Sequence, residues 1–318
     1  MTRMLIAVLC LVAALPATAQ TYASRSVKII VPYGAGGPAD IYARFIGAKL
    51  AEVMGQPFVI EDRPGGGAVV GTDAVAKSAP DGYTLLMMSN THTVNETLIP
   101  KKPYDLMRDL APITGVNYSD LLMVVHPSVP ANNLKEFLAL AKARPKELNY
   151  ASSGPGTPYH MAGELFKAMA GVDIVHVPYK GSDGARTGIL GGQVQMMLDA
   201  ITTMASNVRA GKLKAMGTTG KTRSSVLPDV PTIAETGVPG YESGIWLGLM
   251  APAGTPRPIL ERLNAEVNKI ISAPEVKEAW TKQGAMPMGM SLEQFDRFLR
   301  EEIVKWSNVV KVSGAKVD

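Results

Sequence analysis

The feature that most constrains this chain is a unit that recurs along it: an apolar strand-like run, a glycine-rich turn, then a segment with helical spacing. "VKIIVPYGAGGPADIYARFIGAKL" is its first occurrence. Val27 to Val31 is apolar and largely β-branched, as strands prefer. Behind the turn, Tyr42, Phe45, Ile46, Leu50 and Val53 recur at intervals of three and four and Gly55 ends the run, which predicts an amphipathic helix. "PFVIED", a loop and helix in "RPGGGAVVGTDAVAKSA", and the strand "YTLLMMSN" follow. The alternation restarts at "DLLMVVHP" and runs through "NNLKEFLALAKA", "ELNYASS", "PYHMAGELFKAMAG", "DIVHVPY", "QVQMMLDA" and "LKAMGTT". A strand in "GIWLGLMAPAGTP" then leads to three helices, from Pro258 to Ile271, Pro274 to Gln283 and Leu292 to Val310. Strands that run the same way need helical crossovers, so the expected class is α/β with mainly parallel sheets flanked by helices. The 318 residues suffice for two such domains.

The start of the chain reads differently. "MTRMLIAVLCLVAALPATAQ" pairs a basic Arg3 with an apolar run and a small-x-small site at Ala17 and Ala19, which predicts a signal peptide over residues 1–19, cleaved after Ala19. No later stretch reaches the ~20 apolar residues of a membrane span. The expected location is therefore periplasmic. Cys10, the single cysteine, falls inside the leader, so the mature chain offers no disulfide, thiol nucleophile or thiolate metal site. Losing Arg3 leaves 31 of the 32 basic residues against 28 acidic ones, a net charge of +3 with no basic block to suggest nucleic acid.

A glycine turn opening a helix is an anion site in waiting, because the first helical N–H groups are unpaired and carry a partial positive charge. Three such loops are expected at the carboxyl ends of strands. The first is Gly34, Ala35, Gly36 and Gly37, ahead of Asp40, where three glycines in four positions favour close backbone approach. Asp40 itself reads as a dipole partner of its helix. The second is "SSGPGT", with Ser153, Gly154, Gly156 and Thr157, whose hydroxyls serve equally as caps or contacts. The third is "KGSDG", with Lys180, Gly181 and Ser182; Lys180 is either solvated or a charge in the cleft. Asp199 reads as a helix cap or a pocket acid, the pocket being preferred.

Two other classes compete. Gly34-x-Gly36-x-x-Ala39 after a strand, with Glu61 ending the next strand, fits a dinucleotide-binding fingerprint, but Pro38 stiffens the turn and Arg63-Pro64 stands just beyond the acid. An enzyme on the same scaffold would need reactive side chains. The four histidines show no metal-ligand spacing and no serine sits in a nucleophile elbow, so no cofactor, metal or catalytic residue is assigned.

Several blocks taken together carry a resemblance: "VPYGAGGPADIYAR", "GQPFVIEDRPGGGAVVGTDAVAKSAPDGYTLL", "LNYASSGPGTPYHMAGELFKAMAGVDIVHVPYKG", "LGGQVQMMLDA" and "LPDVPTIAETGVPGYESGIWLGLMAPAGTP". In this order the chain resembles the Bug family, periplasmic solute receptors of tripartite tricarboxylate transporters. The resemblance implies a two-domain Venus-flytrap binding protein, with residues 20–122 and 245–318 in one domain and 123–244 in the other. It implies a monomer that captures a small organic carboxylate (dicarboxylate, tricarboxylate, aromatic acid or acidic amino acid) by domain closure and hands it to membrane permease subunits. The first-domain pincer would be Tyr33 to Asp40 with Ser89 and Asn90 as its second arm. The loops at 153–157 and 180–184 would contact the rest of the ligand. One departure stands out: family members often carry Ala-Pro after "KGS", where this chain has Asp183-Gly184. Asp183 either points outward as a helix cap or meets a cationic or hydroxylated ligand end.

Overall fold

The structure, a computed structural model, describes residues 22–316; the expected leader lies outside them. Strand β1 (Val27–Val31) leads into α1 (Pro38–Met54), β2 (Phe58–Asp62), α2 (Val69–Ala76), β3 (Thr84–Ser89), α3 (Asn90–Leu98) and the short α4 (Leu106–Asp109). The 16-residue β4 (Leu110–Val125) follows. Next come α5 (Leu134–Ala143), β5 (Asn149–Ser152), α6 (Pro158–Ala170), β6 (Val175–Pro178), α7 (Ser182–Leu190), β7 (Met196–Ala200), α8 (Ile201–Arg209), β8 (Lys214–Thr218) and the single turn α9 (Ile233–Thr236). The chain ends with β9 (Gly244–Pro252), α10 (Arg257–Ser272), α11 (Pro274–Gln283), β10 (Ala285–Pro287) and α12 (Leu292–Ser313).

Strands neighbour one another in the order β2-β1-β3-β9-β4-β7-β5-β6, with β10 and β8 also paired to β4. Strand β4 divides this ladder in two. Its residues Leu110 to Asp120 pair with β9, and Leu121 to Val125 pair with β7 and β8. Elements around the first sheet form one lobe and those around the second form the other. The chain returns at Ser243, whose N–H donates to Thr219 O at 3.2 Å, and Gly244, which pairs with Asp120.

The strands joined by helices run parallel, as expected: β1 with β2 and β3, and β5 with β6 and β7. The antiparallel ladders all involve β4 or β9. Where the chain passes between lobes it does so as extended strand, and a strand entering a sheet without a helical crossover meets its neighbours head to tail. The sheets are thus more mixed than the repeating unit alone implies.

The central strands of each sheet are buried on both faces, which is why they read as unbroken apolar runs, whereas the edge strands β2 and β6 are partly exposed. In the first lobe Ile29, Leu85, Met87 and Leu249 pack under Ile46 and Leu50 of α1 and Leu263, Val267 and Ile271 of α10. Their strand neighbours Ile30, Leu86, Met88 and Met250 face the other way, towards Val75, Phe295 and Leu299. The second lobe repeats this, with Met123, Tyr150 and Leu198 against Phe137 and Phe166, and Leu122, Val124 and Met197 against Ile189, Ile201 and Met204. Helix α12 reaches beyond its own lobe: Trp306 and Val310 close a small cluster with Val94 of α3 and Met161 of α6.

The strand–glycine–helix unit does not foretell α3, α4 or the first half of β4. The β10 strand also falls in a segment expected only to separate helices.

Candidate functional site

Between the lobes lies a cavity of about 570 Å³, the size range of small-molecule sites. Its walls are the loops that leave the parallel strands at their carboxyl ends, where ligands bind in open α/β sheets. From the first lobe come the β1–α1 turn and the β2–α2 loop, with Ser89 at the end of β3; from the second come the β5–α6 and β6–α7 loops. Ile245 and Leu247 of β9 contribute apolar surface.

The N-cap residues of five helices all line this one cavity: Gly37 of α1, Ala68 of α2, Ser89 of α3, Thr157 of α6 and Gly181 of α7. The Ser89 and Thr157 hydroxyls cap their own helices, whereas Gly37, Ala68 and Gly181 offer no side-chain cap. The amides of Gly34, Ala35, Gly37, Gly67, Ala68, Ser182 and Asp183 donate no hydrogen bond within the described residues. Each uncapped helix end presents roughly half a positive unit charge, so the arrangement favours an anion.

The first-lobe loops are fastened from behind by a buried chain of side chains. The Tyr33 hydroxyl lies 2.6 Å from Ser89 Oγ, and the Ser89 N–H donates to His92 Nδ1 at 3.2 Å. Thr72 Oγ1 donates to Ala68 O at 2.7 Å, so its 2.9 Å contact with His92 Nε2 is accepted from the imidazole. His92 therefore carries its proton on Nε2. Burial disfavours a second proton and lowers its pKa to about 4, while Tyr33 is pushed up to about 12 by the same cause. The turn itself is held by Asp40, whose Oδ2 accepts the Gly36 N–H at 2.9 Å and which pairs with Arg44 at 2.6 Å.

In the second lobe Ser152 Oγ accepts the Gly154 N–H at 3.1 Å and lies 2.7 Å from His176 Nε2. His160 Nδ1 accepts the Gly156 N–H at 3.1 Å, and the two imidazoles stack with centroids 4.2 Å apart. Desolvation lowers His160 to about 4 and His176 to about 3, so both stay neutral and act as scaffolding.

Of the residues picked from sequence, Tyr33, Gly34, Ala35, Gly37, Ser89, Ser153, Gly154, Thr157, Lys180, Gly181 and Ser182 line the cavity. Four do not. Gly36 and Gly156 spend their amides on Asp40 and His160. Asn90 is buried and donates to Gly244 O at 3.0 Å, tying α3 to the returning strand. The pocket role preferred for Asp199 is corrected: it is fully buried, 2.6 Å from Arg186 Nε, with Oδ1 accepting the Ala200 N–H. An arginine 13 positions upstream neutralises it. Glu61, the acid of the dinucleotide fingerprint, pairs with Lys28 at 2.8 Å and with Arg63, which together lower its pKa.

The cavity also recruits residues not singled out. Pro64 to Ala68 contribute a whole wall, and Tyr159 and Tyr179 line it as well. "RPGGGAVV" repeats the strand–glycine–helix signature of the first turn, so its signal was present in the sequence.

The lobes meet around the cavity. A methyl group on Gly36 would lie 3.2 Å from Asp183 Oδ2, one on Gly67 3.5 Å from Pro155 O, and one on Gly156 3.0 Å from Asn95 Oδ1. Gly36 has φ +76°, a backbone state that glycine reaches without steric cost.

Two α/β lobes joined through crossing strands, with helix N-termini gathered on a shared cleft, define a two-domain periplasmic binding protein. Residues 42–315 match the TctC family, the tripartite tricarboxylate transporter family receptor, and the chain belongs to that family. It is 38% identical to Protein BugT of Bordetella pertussis over 306 residues, 96% of this chain and 94% of that protein. Among solved structures it resembles R. palustris Rpa4515 with adipate (TM-score 0.90, 34% identity, 93% of this chain and 100% of the other). It also resembles MatC (Rpa3494) from Rhodopseudomonas palustris with bound malate (TM-score 0.85, 34% identity, 91% and 100%).

Proposed function

We propose that this chain is a periplasmic receptor that captures a small organic carboxylate between its lobes and delivers it to the permease of a tripartite tricarboxylate transporter. The observation that carries the reading is the convergence of five helix N-caps on one cavity, three of them without a side-chain cap. Adipate and malate in the two structural relatives point to the same ligand class. The predicted leader supports export, and no helix among the described residues is long and apolar enough to cross a membrane.

The lobes would turn about the two strand crossings, at Asp120–Leu121 and Ser243–Gly244, which supports a division close to 20–122 with 245–318 and 123–244, with Leu121 and Leu122 on the second-lobe side and Gly244 on the first. A ligand favours closure only as far as it binds the closed form more tightly than the open one. The rim approaches of Gly36 to Asp183 and Gly67 to Pro155 are contacts that the closed form would gain.

A binding role, rather than turnover, is supported by where the imidazoles are spent: His92, His160 and His176 are neutral and engaged with loop groups. Isothermal titration of the leaderless protein against adipate, malate, citrate and benzoate, with X-ray scattering in parallel, tests the reading. At least one acid should bind without added metal or nucleotide, and the radius of gyration should fall on saturation. Binding by none of them overturns carboxylate capture, and an unchanged radius at saturation overturns closure.

A further inference from the structure

The two ends of the cavity differ in whether charged side chains line them. At the first-lobe end the lining residues carry no charged side chain: they are glycines, alanines and prolines with Tyr33 and Ser89, the amides of Gly34, Ala35, Gly37, Gly67 and Ala68 donate no hydrogen bond within the described residues, and the nearby Asp40 is buried and paired with Arg44. At the second-lobe end α7 would form a matching anion site, but its first turn already carries a carboxylate. Asp183 lines the cavity with its side chain 70% exposed. Its Oδ1 accepts from Arg186 Nη1 at 3.1 Å, while Oδ2 accepts no hydrogen bond within the described residues and lies towards Gly36 across the cleft.

Arg186 does not cancel that charge. Its Nε is 2.6 Å from the fully buried Asp199 and its Nη2 3.5 Å from the same carboxylate, so one guanidinium serves two acids. The group of three is left with one net negative charge. Lys180 lines the same end and makes no ion pair within the described residues, which brings the side-chain charge of that end to zero.

We propose, resting on the carboxylate-capture reading, that Asp183 is a specificity-determining residue. The ligand is a carboxylate whose far end carries a hydrogen-bond donor, a hydroxyl or an ammonium, and a second carboxylate in that position is rejected. The first carboxylate takes the amides of the β1–α1 and β2–α2 loops. The donor at the other end satisfies the unused Oδ2 of Asp183. A second carboxylate would gain Lys180 and the α7 amides but stand beside a like charge in a cleft where water screening is reduced.

The test is titration calorimetry of the leaderless protein at pH 7.5 and fixed ionic strength with ligands matched in length and frame. The pairs are 6-hydroxyhexanoate and 6-aminohexanoate against adipate, 4-hydroxybutyrate against succinate, and 4-hydroxybenzoate against terephthalate. The donor-ended member of the best-binding set should bind at least tenfold more tightly than its dicarboxylate partner. Asp183→Ala and the isosteric Asp183→Asn should each shrink that ratio tenfold or reverse it, and the exposed site makes both substitutions compatible with folding. A wild-type preference for the dicarboxylate, or a ratio that neither variant changes, overturns the inference while leaving carboxylate capture intact. If no member of any pair binds while malate, citrate or benzoate does, the inference falls and carboxylate capture stands; if those three also fail, both fall.

Discussion

Acid should loosen this fold through three histidines that its loops require to be neutral. The pKa of His92 and His160 is lowered to about 4 and that of His176 to about 3, against an ordinary value of 6.5. The folded values are depressed, so the unfolded chain binds protons more readily. The histidines' contribution to stability is complete above pH 6.5 and is lost as pH falls from there towards 4. At ~1.36 kcal/mol per proton and pH unit, His92 and His160 each cost about 1.8 kcal/mol between pH 7 and pH 5. His176 is partly exposed and adds less. Asp120 opposes them: desolvation, with a smaller contribution from Glu242, raises its carboxyl to about 6, so protonating it below that value returns about 1 kcal/mol over the same range. Lowered carboxylates such as Asp109, at about 2, matter only at lower pH. The net loss from pH 7 to pH 5 is therefore about 2–3 kcal/mol. Urea unfolding followed by circular dichroism at pH 7, 6 and 5 measures it, and His92→Gln should flatten the slope even though it lowers stability at pH 7. A free energy of unfolding that holds steady or rises towards pH 5 would refute the claim that burial holds these imidazoles neutral.

Asp120→Asn, at the point where β4 changes sheets, should raise stability at pH 8 by about 1–2 kcal/mol and at pH 5 by roughly half as much, because the neutral amide avoids the burial cost of the charged acid, a cost that fades between pH 6 and the ordinary value of 3.8. Thermal melts at the two pH values decide it, and equal shifts at both would mean that charge is not the cause. Glu302 accepts from both buried indoles, Trp246 Nε1 at 2.7 Å and Trp306 Nε1 at 2.9 Å. Glu302→Leu should cost ~2–5 kcal/mol in urea unfolding by orphaning two donors, and Glu302→Gln, which keeps an acceptor oxygen, less than half of that; equal losses would show that packing rather than hydrogen bonding is at stake.

Much of the architecture is legible because glycine turns and apolar runs are local signals. Gly55, with φ +70°, closes α1 where the spacing ends, and Pro38 opens it at a position that needs no N–H. Helix α3 escapes because "NTHTVNETL" is rich in residues that prefer caps and turns, and its reciprocal cap uses His92 where glutamate or glutamine would give the usual signature. The first half of β4 escapes because Pro112 and Gly115 sit beside shifts in register that break strand alternation. In the site, Asp199 could be recognised as a buried acid, but nothing local names Arg186 as its partner. That pairing exists only once α7 is laid against β7.

The same division of labour explains which half of the site a sequence can reveal. An anion site made of amides works only if its loops are rigid before the ligand arrives, since ordering them on binding would cost ~1–2 kcal/mol per residue. Here the side chains do the fastening: Asp40 holds Gly36, His92 holds Ser89, Ser152 holds Gly154 and His160 holds Gly156. The amides left without a partner belong to residues that line the cavity. Backbone has no side-chain identity, so on the proposed reading the anchoring end would look alike in any chain that keeps the glycines and would not tell one carboxylate from another. Discrimination must then fall on the few side chains that enter the lining with charge or a donor, and Asp183 is the single acid among them. A change there should alter which ligand is held without disturbing how its carboxylate is gripped, whereas a change at His92 or His160 should weaken every ligand alike.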